Sequence, residues 1–329
     1  MTRLLIIADT ETWCFAHRAK ALQTHAPDDF EVAIQYCAYQ EIQELPLDRY
    51  DVIFLMVTVQ AGVVRRHLAD LGWEGVLVVS HNSGLGRRTE YLFGAMLAAD
   101  AVVVNNHAAW EATRRYVRPE RFNACNISNG VDTSIFHPTT PMAERARKVI
   151  WVGAEVKTEE PAVFSPGDVK GYNNILVPLG MILEGKGLEV EWRKTKLEGQ
   201  HASPAKMAEW YNSASVVVCT SETEGTPNFI LEAAACGCAV VSTQVGNIPE
   251  AFDCGRNAIV VNRRHTPAFM EACEFAMEHR VALGAGAAEA MRTWGWSQRS
   301  AYFFALFRRL HQQGSMRPFS YLGTTPEEV

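Results

Sequence analysis

Alternation is the feature that most narrows what this chain can become. Short apolar, β-branched runs, at Leu4 to Ala8, Val32 to Tyr36, Val52 to Val57, Gly75 to Ser80, Ala101 to Asn105 and Ala124 to Ser128, are separated by longer amphipathic stretches such as Thr12 to Thr24 and Ala108 to Tyr116. Such a chain builds parallel sheets wrapped by helices, because each parallel strand is reached by a crossover that packs back on the sheet. The pattern restarts at Val149 to Gly153 and continues at Glu189 to Trp192, Ser215 to Thr220, Ala239 to Thr243 and Ala258 to Val261. Two doubly wound, Rossmann-like α/β domains follow, joined through the charged segment Met142 to Lys148. Length agrees, since 329 residues exceed the roughly 100 to 200 of an ordinary single domain. Arg299 to Gln313 reads as one strong amphipathic helix with a wide aromatic face, Glu155 to Val169 as a loop, and Gly314 to Val329 shows no element. In tandem folds of this kind ligands bind beyond the carboxyl ends of the strands, in a cleft between the sheets, so function belongs to the loops just after strands.

Composition excludes several classes. With 48% apolar and 21% charged residues the chain is not a disordered one. A net charge of -6 argues against a surface that grips nucleic acid as a whole, while leaving a local basic patch open. The apolar run Leu4 to Ala8 is too short for a leader and is followed at once by Asp9, and no stretch approaches the roughly 18 apolar residues of a membrane span. The expectation is a cytoplasmic protein, at most peripheral to a membrane. Its eight cysteines, several inside apolar runs, read as reduced and buried. Cys236 and Cys238 have no partners at metal-ligand spacing, so no metal site is expected.

The segment Thr220 to Gly237 carries the chemistry. It reads as strand, loop and helix, with Thr226 as N-cap, Pro227 at the first helical position and Gly237 ending the helix. Backbone N–H groups from Thr226 to Phe229 and the helix dipole make an anion site that suits a diphosphate. Glu232 lies five residues past Pro227, about 7.5 Å up a helix, and Glu224 sits in the loop before it. Carboxylates repel phosphate, so both are better placed to accept hydrogen bonds from sugar hydroxyls at either end of a diphosphate. That is the outline of a nucleotide-sugar.

Glu224 and Glu232 form an E-x7-E motif that resembles retaining glycosyltransferases of the GT-B fold, and the stretch through Pro249 and Glu250 looks like glycosyltransferase family 4. The family's Leu-Glu-Ala helix, glycine, buried strand and Gly-x-x-Pro-Glu turn are matched by Leu231 to Ala233, Gly237, Ala239 to Ser242 and Gly246 to Glu250. The run Asn129 to Pro138 resembles the turn that closes the family's first domain. The resemblance implies an acceptor-side domain at 1–142, a donor-binding domain at 143–298, and a terminal helix and tail at 299–329 that cross back to the first domain. It implies that Glu224 contacts the transferred hexose, Glu232 the ribose, and the amides of Gly225, Thr226, Pro227, Asn228 and Phe229 the sugar and diphosphate. Lys170 matches the family's Lys-Gly pair, which holds the diphosphate and stabilises the charge that develops as the glycosidic bond breaks. His81 matches a histidine facing the donor sugar. The implied reaction is front-face transfer of a hexose from a UDP-sugar, UDP-glucose-like first and GDP-sugar next, to an acceptor, with no protein nucleophile, metal or permanently bound cofactor. Carboxylates there bind and orient, unlike the acid and base pair of glycoside hydrolases.

Two departures accompany the match. The family's Gly-Arg after the first strand of the second domain is here Gly153-Ala154, which asks another cation, Lys157 or Arg193, to serve the diphosphate. The glycine-rich first loop is replaced by Ala8 to Trp13, which leaves the acceptor unassigned among glycan, lipid head group and nucleic acid. Arg87 and Arg88, following Asn82 to Gly86, are the candidate contacts for an anionic acceptor; the other Arg-Arg pairs, at 65–66, 114–115, 263–264 and 308–309, read as solvated helix faces. Taken singly, Glu224, Glu232 and Lys170 are ordinary surface charges and His81 a turn cap. His17, His25, Trp13 and Phe15 read as structural. Three alternatives therefore stay open: the same chemistry on DNA or RNA, a sugar-nucleotide epimerase, and a non-catalytic protein that binds sugar nucleotides or glycans.

Overall fold

The computed structural model describes residues 1–11, 14–37, 41–81, 89–116, 123–153, 168–194, 202–313 and 320–321. The chain divides into two compact units, the first made of residues 1–129 and 296–329, the second of 130–295.

The first unit begins with strands β1 (Thr2–Ala8), β2 (Phe30–Tyr36), β3 (Val52–Leu55), β4 (Val76–His81), β5 (Ala101–Val104) and β6 (Asn123–Asn126). Helices α1 (Cys14–Thr24), α2 (Ala61–Asp70), α3 (Thr89–Met96) and α4 (His107–Tyr116) alternate with them. All pair in parallel, in register from Leu4 opposite Val52 to Val78 opposite Ala101. Side chains alternate across a strand, so each strand feeds two cores. Leu4, Ile6, Val52 and Phe54 enter one cluster, while Leu5, Ile7, Ile53 and Leu55 enter the other.

The second unit holds β7 (Lys148–Gly153), β8 (Glu189–Lys194), β9 (Val216–Cys219), β10 (Ala239–Thr243) and β11 (Ala258–Val261), with helices α5 (Val177–Gly185), α6 (Pro204–Asn212), α7 (Asn228–Ala235), α8 (Ile248–Ala251), α9 (Thr266–Glu278) and α10 (Arg280–Met291). Its sheet order is β11-β10-β9-β7-β8, all parallel. Ile150, Val217 and Val240 point to the core under α6, α7 and α10; Val149, Val216 and Val241 point to the core under α5 and α9.

The chain then returns to the first unit as α11 (Trp296–Gln313) and a short strand, β12 (Ser320–Tyr321), which pairs in parallel with Ala124 and Cys125 of β6. The first sheet thus runs β12-β6-β5-β4-β3-β1-β2. The tail carries an element that its composition does not announce, because two residues add to an edge only when that edge is already there. The aromatic face of α11 is core: Phe303, Phe304 and Phe307 are buried against Phe30 and Phe54. Each contributes roughly 1.5 to 3 kcal/mol from burial.

Most of the segment 142–148 is exposed, but it is anchored within the second unit at Arg145. Arg145 is buried, with Nη2 donating to the Cys236 carbonyl at 2.7 Å and to Asn212 Oδ1 at 3.0 Å, and Nε donating to the Thr140 carbonyl at 2.9 Å. A charged residue that satisfies buried carbonyls belongs to the unit it clamps, and the division falls earlier, between Asn129 and Gly130.

Candidate functional site

In the second unit the loop that follows β9 meets the loop that enters α5. Gly171 takes a left-handed φ of 72°, and a Cβ there would lie 2.9 Å from the carbonyl oxygen of Thr220. Only glycine allows the approach. Thr220 Oγ1 donates to the Lys170 carbonyl at 2.6 Å and the Glu222 N–H to the Val169 carbonyl at 2.7 Å. Asp168 accepts the N–H groups of Tyr172 and Asn174, each at 2.7 Å, and so caps the helical turn leading into α5. Arg264, beyond β11, ties both loops together, donating to the carbonyls of Thr220 (2.8 Å), Asp168 (2.6 Å) and Val169 (3.1 Å).

This frame places Lys170 against Glu224. Lys170 Nζ donates to Glu224 Oε1, and Ser221 Oγ donates to the same oxygen at 2.7 Å. Among the described residues no donor reaches Glu224 Oε2. Glu232, half-buried on α7, shows the same division: the Tyr211 hydroxyl donates to Oε2 at 2.9 Å and leaves Oε1. Burial pushes the Glu232 carboxyl up to about 7, with the Tyr211 hydrogen bond opposing the rise. Each carboxylate keeps one oxygen without a protein donor among the described residues.

The helix start differs from its sequence expectation. Helix α7 begins at Asn228, and Pro227, with φ -75° and ψ 78°, makes no side-chain cap. Those angles with the Asn228 N–H donating to the Thr226 carbonyl at 2.9 Å describe an inverse γ-turn. Thr226 is therefore not the N-cap; its Oγ1 is buried with no partner among the described residues. The Asn228 N–H is taken by this turn, so it is not one of the open amides that the helix start was expected to offer. Gly225 and Pro227 are buried, with the turn at Gly246 packed on them: its φ is 55°, and a Cβ would lie 2.6 Å from the Gly225 carbonyl oxygen. Phe229 is partly buried between the two cores of the unit.

His81 belongs to the first unit, at the carboxyl end of β4. It is 2% exposed, its Nε2 has no partner among the described residues, and burial lowers its pKa to about 4, so the ring is neutral near pH 7. Arg18, also buried, donates to the Oγ of the preceding Ser80 at 2.5 Å. Arg87, Arg88, Ala154 and Lys157 lie outside the described residues. Arg193 is committed to Glu191 Oε1 at 2.8 Å and lies over the Trp210 ring at 4.1 Å. Ser221, Tyr211, Asp168 and Arg264 are the site residues that sequence reasoning missed. Only Arg264 left a trace, as one of the arginine pairs read as solvated.

The cysteines divide. Cys236 and Cys238 are buried thiols that burial keeps protonated, and Cys238 Sγ donates to the Tyr211 carbonyl at 3.1 Å; Cys14 and Cys254 are exposed, against the expectation for the whole set. No group of metal-ligating side chains occurs among the described residues, and none of their helices is long and apolar enough to cross a membrane.

Residues 183–279 match the family model described as glycosyl transferases group 1. Along 95% of its length the chain superposes on the whole of a sucrose-phosphate synthase from Thermosynechococcus elongatus, with a TM-score of 0.69 at 14% identity. It superposes similarly on Anabaena HepE in complex with UDP-glucose, TM-score 0.67 at 16% identity over 94% of this chain and 100% of that one. The fold is GT-B. Among curated proteins, a D-inositol 3-phosphate glycosyltransferase from Paenarthrobacter aurescens is 34% identical over 31% of this chain and 26% of its own length. One from Xylanimonas cellulosilytica is 25% identical over 62% of this chain and 55% of its own. The chain thus spans about a quarter to a half of the length of these curated relatives. Within the GT-B fold, Lys170, Glu224 and Glu232 stand on the second unit, the one that contains the matched segment.

Proposed function

We propose that this chain is a retaining glycosyltransferase of family 4 type that moves a hexose from a nucleotide-sugar, a UDP-sugar first, to an anionic acceptor. The observation that carries the proposal is the pair Glu224 and Glu232, each with one oxygen held by protein donors and the other left for a hydroxyl. Glu224 Oε2 would take a hydroxyl of the hexose and Glu232 Oε1 the ribose, with the start of α7 near the diphosphate. Lys170 would turn from Glu224 toward the phosphates as the glycosidic bond breaks. The acceptor oxygen attacks the anomeric carbon on the face that the diphosphate leaves, a phosphate oxygen takes the acceptor proton, and the nucleoside diphosphate departs. No protein nucleophile or metal enters that scheme.

The match of residues 183–279 supports the transfer, and HepE, solved with UDP-glucose, supports the donor. Relatives named for D-inositol 3-phosphate support an acceptor bearing negative charge. A second reading, a donor-binding protein without turnover, is favoured by Ala154 in place of the family arginine and by the engagement of Arg193 elsewhere. A thermal-shift screen of UDP-, GDP- and ADP-sugars tests the donor, since a ligand of the folded state raises apparent stability. UDP-glucose is expected to raise the midpoint most, and slow UDP release is expected to vanish in Glu224→Ala. No shift with any of them sinks the proposal; a shift without UDP release selects the second reading.

A further inference from the structure

One oxygen of Glu232, Oε2, is held by a fully buried residue. Tyr211, on α6, is fully buried, and its ring packs against Phe136 and Trp210 with centroids at 6.0 and 5.4 Å. Its carbonyl accepts from Cys238 Sγ at 3.1 Å. The next residue, Asn212, is pinned by donors from Arg145 and from the Thr139 N–H and by its own amide bonds to the His137 and Ala208 carbonyls. A phenol has one proton to give, and here it goes to Glu232 Oε2 at 2.9 Å.

Resting on the assignment of Glu232 to the donor ribose, we infer that Tyr211 is a positioning residue: it dedicates Oε1 of Glu232 to the ribose diol and keeps the carboxylate available at neutral pH. A diol's hydroxyls bond more strongly to a carboxylate than to a carboxylic acid, so donor binding favours the ionised form and releases a proton when the free protein holds one there. Burial and Tyr211 act in opposite directions on that proton. Helix α7 packs against α6, β9, β10 and α10. Of the titratable groups these bring, namely Lys206, Glu209 and Tyr211 on α6, Cys219 on β9, Cys236 and Cys238 leading into β10, and Arg280 and Glu289 on α10, Tyr211 is the one that opposes burial at the Glu232 carboxyl. Removing its hydroxyl therefore leaves burial unopposed.

Two arms test this. In the ligand-free protein, the carboxyl carbon-13 shift of Glu232 is followed against pH in the wild type and in Tyr211→Phe. The wild type is expected to titrate near 7, and the variant higher. In the second arm, UDP-glucose binding is measured by calorimetry across the same range in two buffers of different ionisation enthalpy. Wild-type affinity is expected to fall about tenfold per pH unit below the midpoint, with a proton released on binding. Tyr211→Phe is expected to bind several-fold more weakly at neutral pH and to recover at higher pH, and Glu232→Gln to lose the pH dependence. An unchanged Glu232 midpoint in Tyr211→Phe overturns the inference whatever binds. A shifted midpoint with no UDP-glucose binding by the wild type leaves Tyr211 as the residue that tunes Glu232 and overturns the ribose assignment instead. A uniform loss of affinity at all pH values marks Tyr211 as merely structural and overturns the inference.

Discussion

Lys170 Nζ and Ser221 Oγ donate to one and the same oxygen of Glu224, Oε1, so a loop residue and a strand-end residue together decide which carboxylate oxygen is left for a ligand. The pair sets up a competition, because a diphosphate that recruits Lys170 must draw it from Glu224. On the proposed reaction, replacing Lys170 by alanine would remove the cation from the departing phosphate, and kcat is expected to fall on the order of 100-fold. Ser221→Ala leaves the cation and removes one hydrogen bond, worth about 1 kcal/mol, so its effect on kcat/KM stays within roughly tenfold. Steady-state release of UDP, with the acceptor or with water, reads both. Equal effects from the two variants would show that Lys170 does no more than Ser221.

Arg264 holds three carbonyls on two loops. Its removal leaves those carbonyls short of a donor and the loops free to part. Arg264→Met is expected to lower unfolding stability by about 2 kcal/mol, seen as a lower urea midpoint at unchanged slope, and to raise KM for the donor. Arg264→Lys cannot span the three acceptors and should restore little.

His81 makes a pH prediction with a definite sign. Its pKa is about 4 in the folded chain against 6.5 for the unfolded one. Between these values the unfolded chain holds a proton that the folded chain does not, so the stabilisation is present above 6.5 and is lost as pH falls toward 4. The full span is on the order of 3 kcal/mol. Glu232 works the other way: with its pKa raised to about 7, its contribution is present below 4.5 and is lost as pH rises through 7. Urea unfolding of His81→Phe at about pH 7.5 and about pH 4.5 should show a smaller acid loss than the wild type. The same loss in both would remove His81 from the account.

Phe303 connects the last helix to the first sheet, with its ring 5.8 Å from that of Phe54. Phe303→Ala opens a cavity in a core that cannot collapse around it, at about 3 to 5 kcal/mol. Hydrogen exchange should quicken across β1 and β3 while β9 and β10 keep their protection. Loss of protection in all four strands alike would mean that the two units unfold together.

The placement of the strands within each unit follows from patterning that is local. A run such as Val240, Val241, Ser242 is buried on both faces, and β10 and β11 fall on the same residues in the sequence pattern and in the structure. Glu224 and Glu232 were legible as candidates because the segment between strand and helix sets them at short spacing, whereas Lys170, 54 residues from Glu224, was read only through the family resemblance. The start of α7 was not: Thr226 and Pro227 are good capping residues in isolation, but packing of Gly246 on Gly225 and the tight turn at Pro227 moved the helix forward to Asn228. Tyr211 and Arg264 left no usable signal, since a tyrosine in an apolar helix and an arginine in a pair have the same neighbours in sequence whether they face a carboxylate or water. The sequence by itself determined the alternation, the two sheets and the residue types of the loop. Which oxygen of each carboxylate is occupied, that Arg145 is a clamp, and that Ser320 and Tyr321 extend an edge were decided only by the tertiary structure, because each depends on a partner 21 or more residues away that no local pattern encodes.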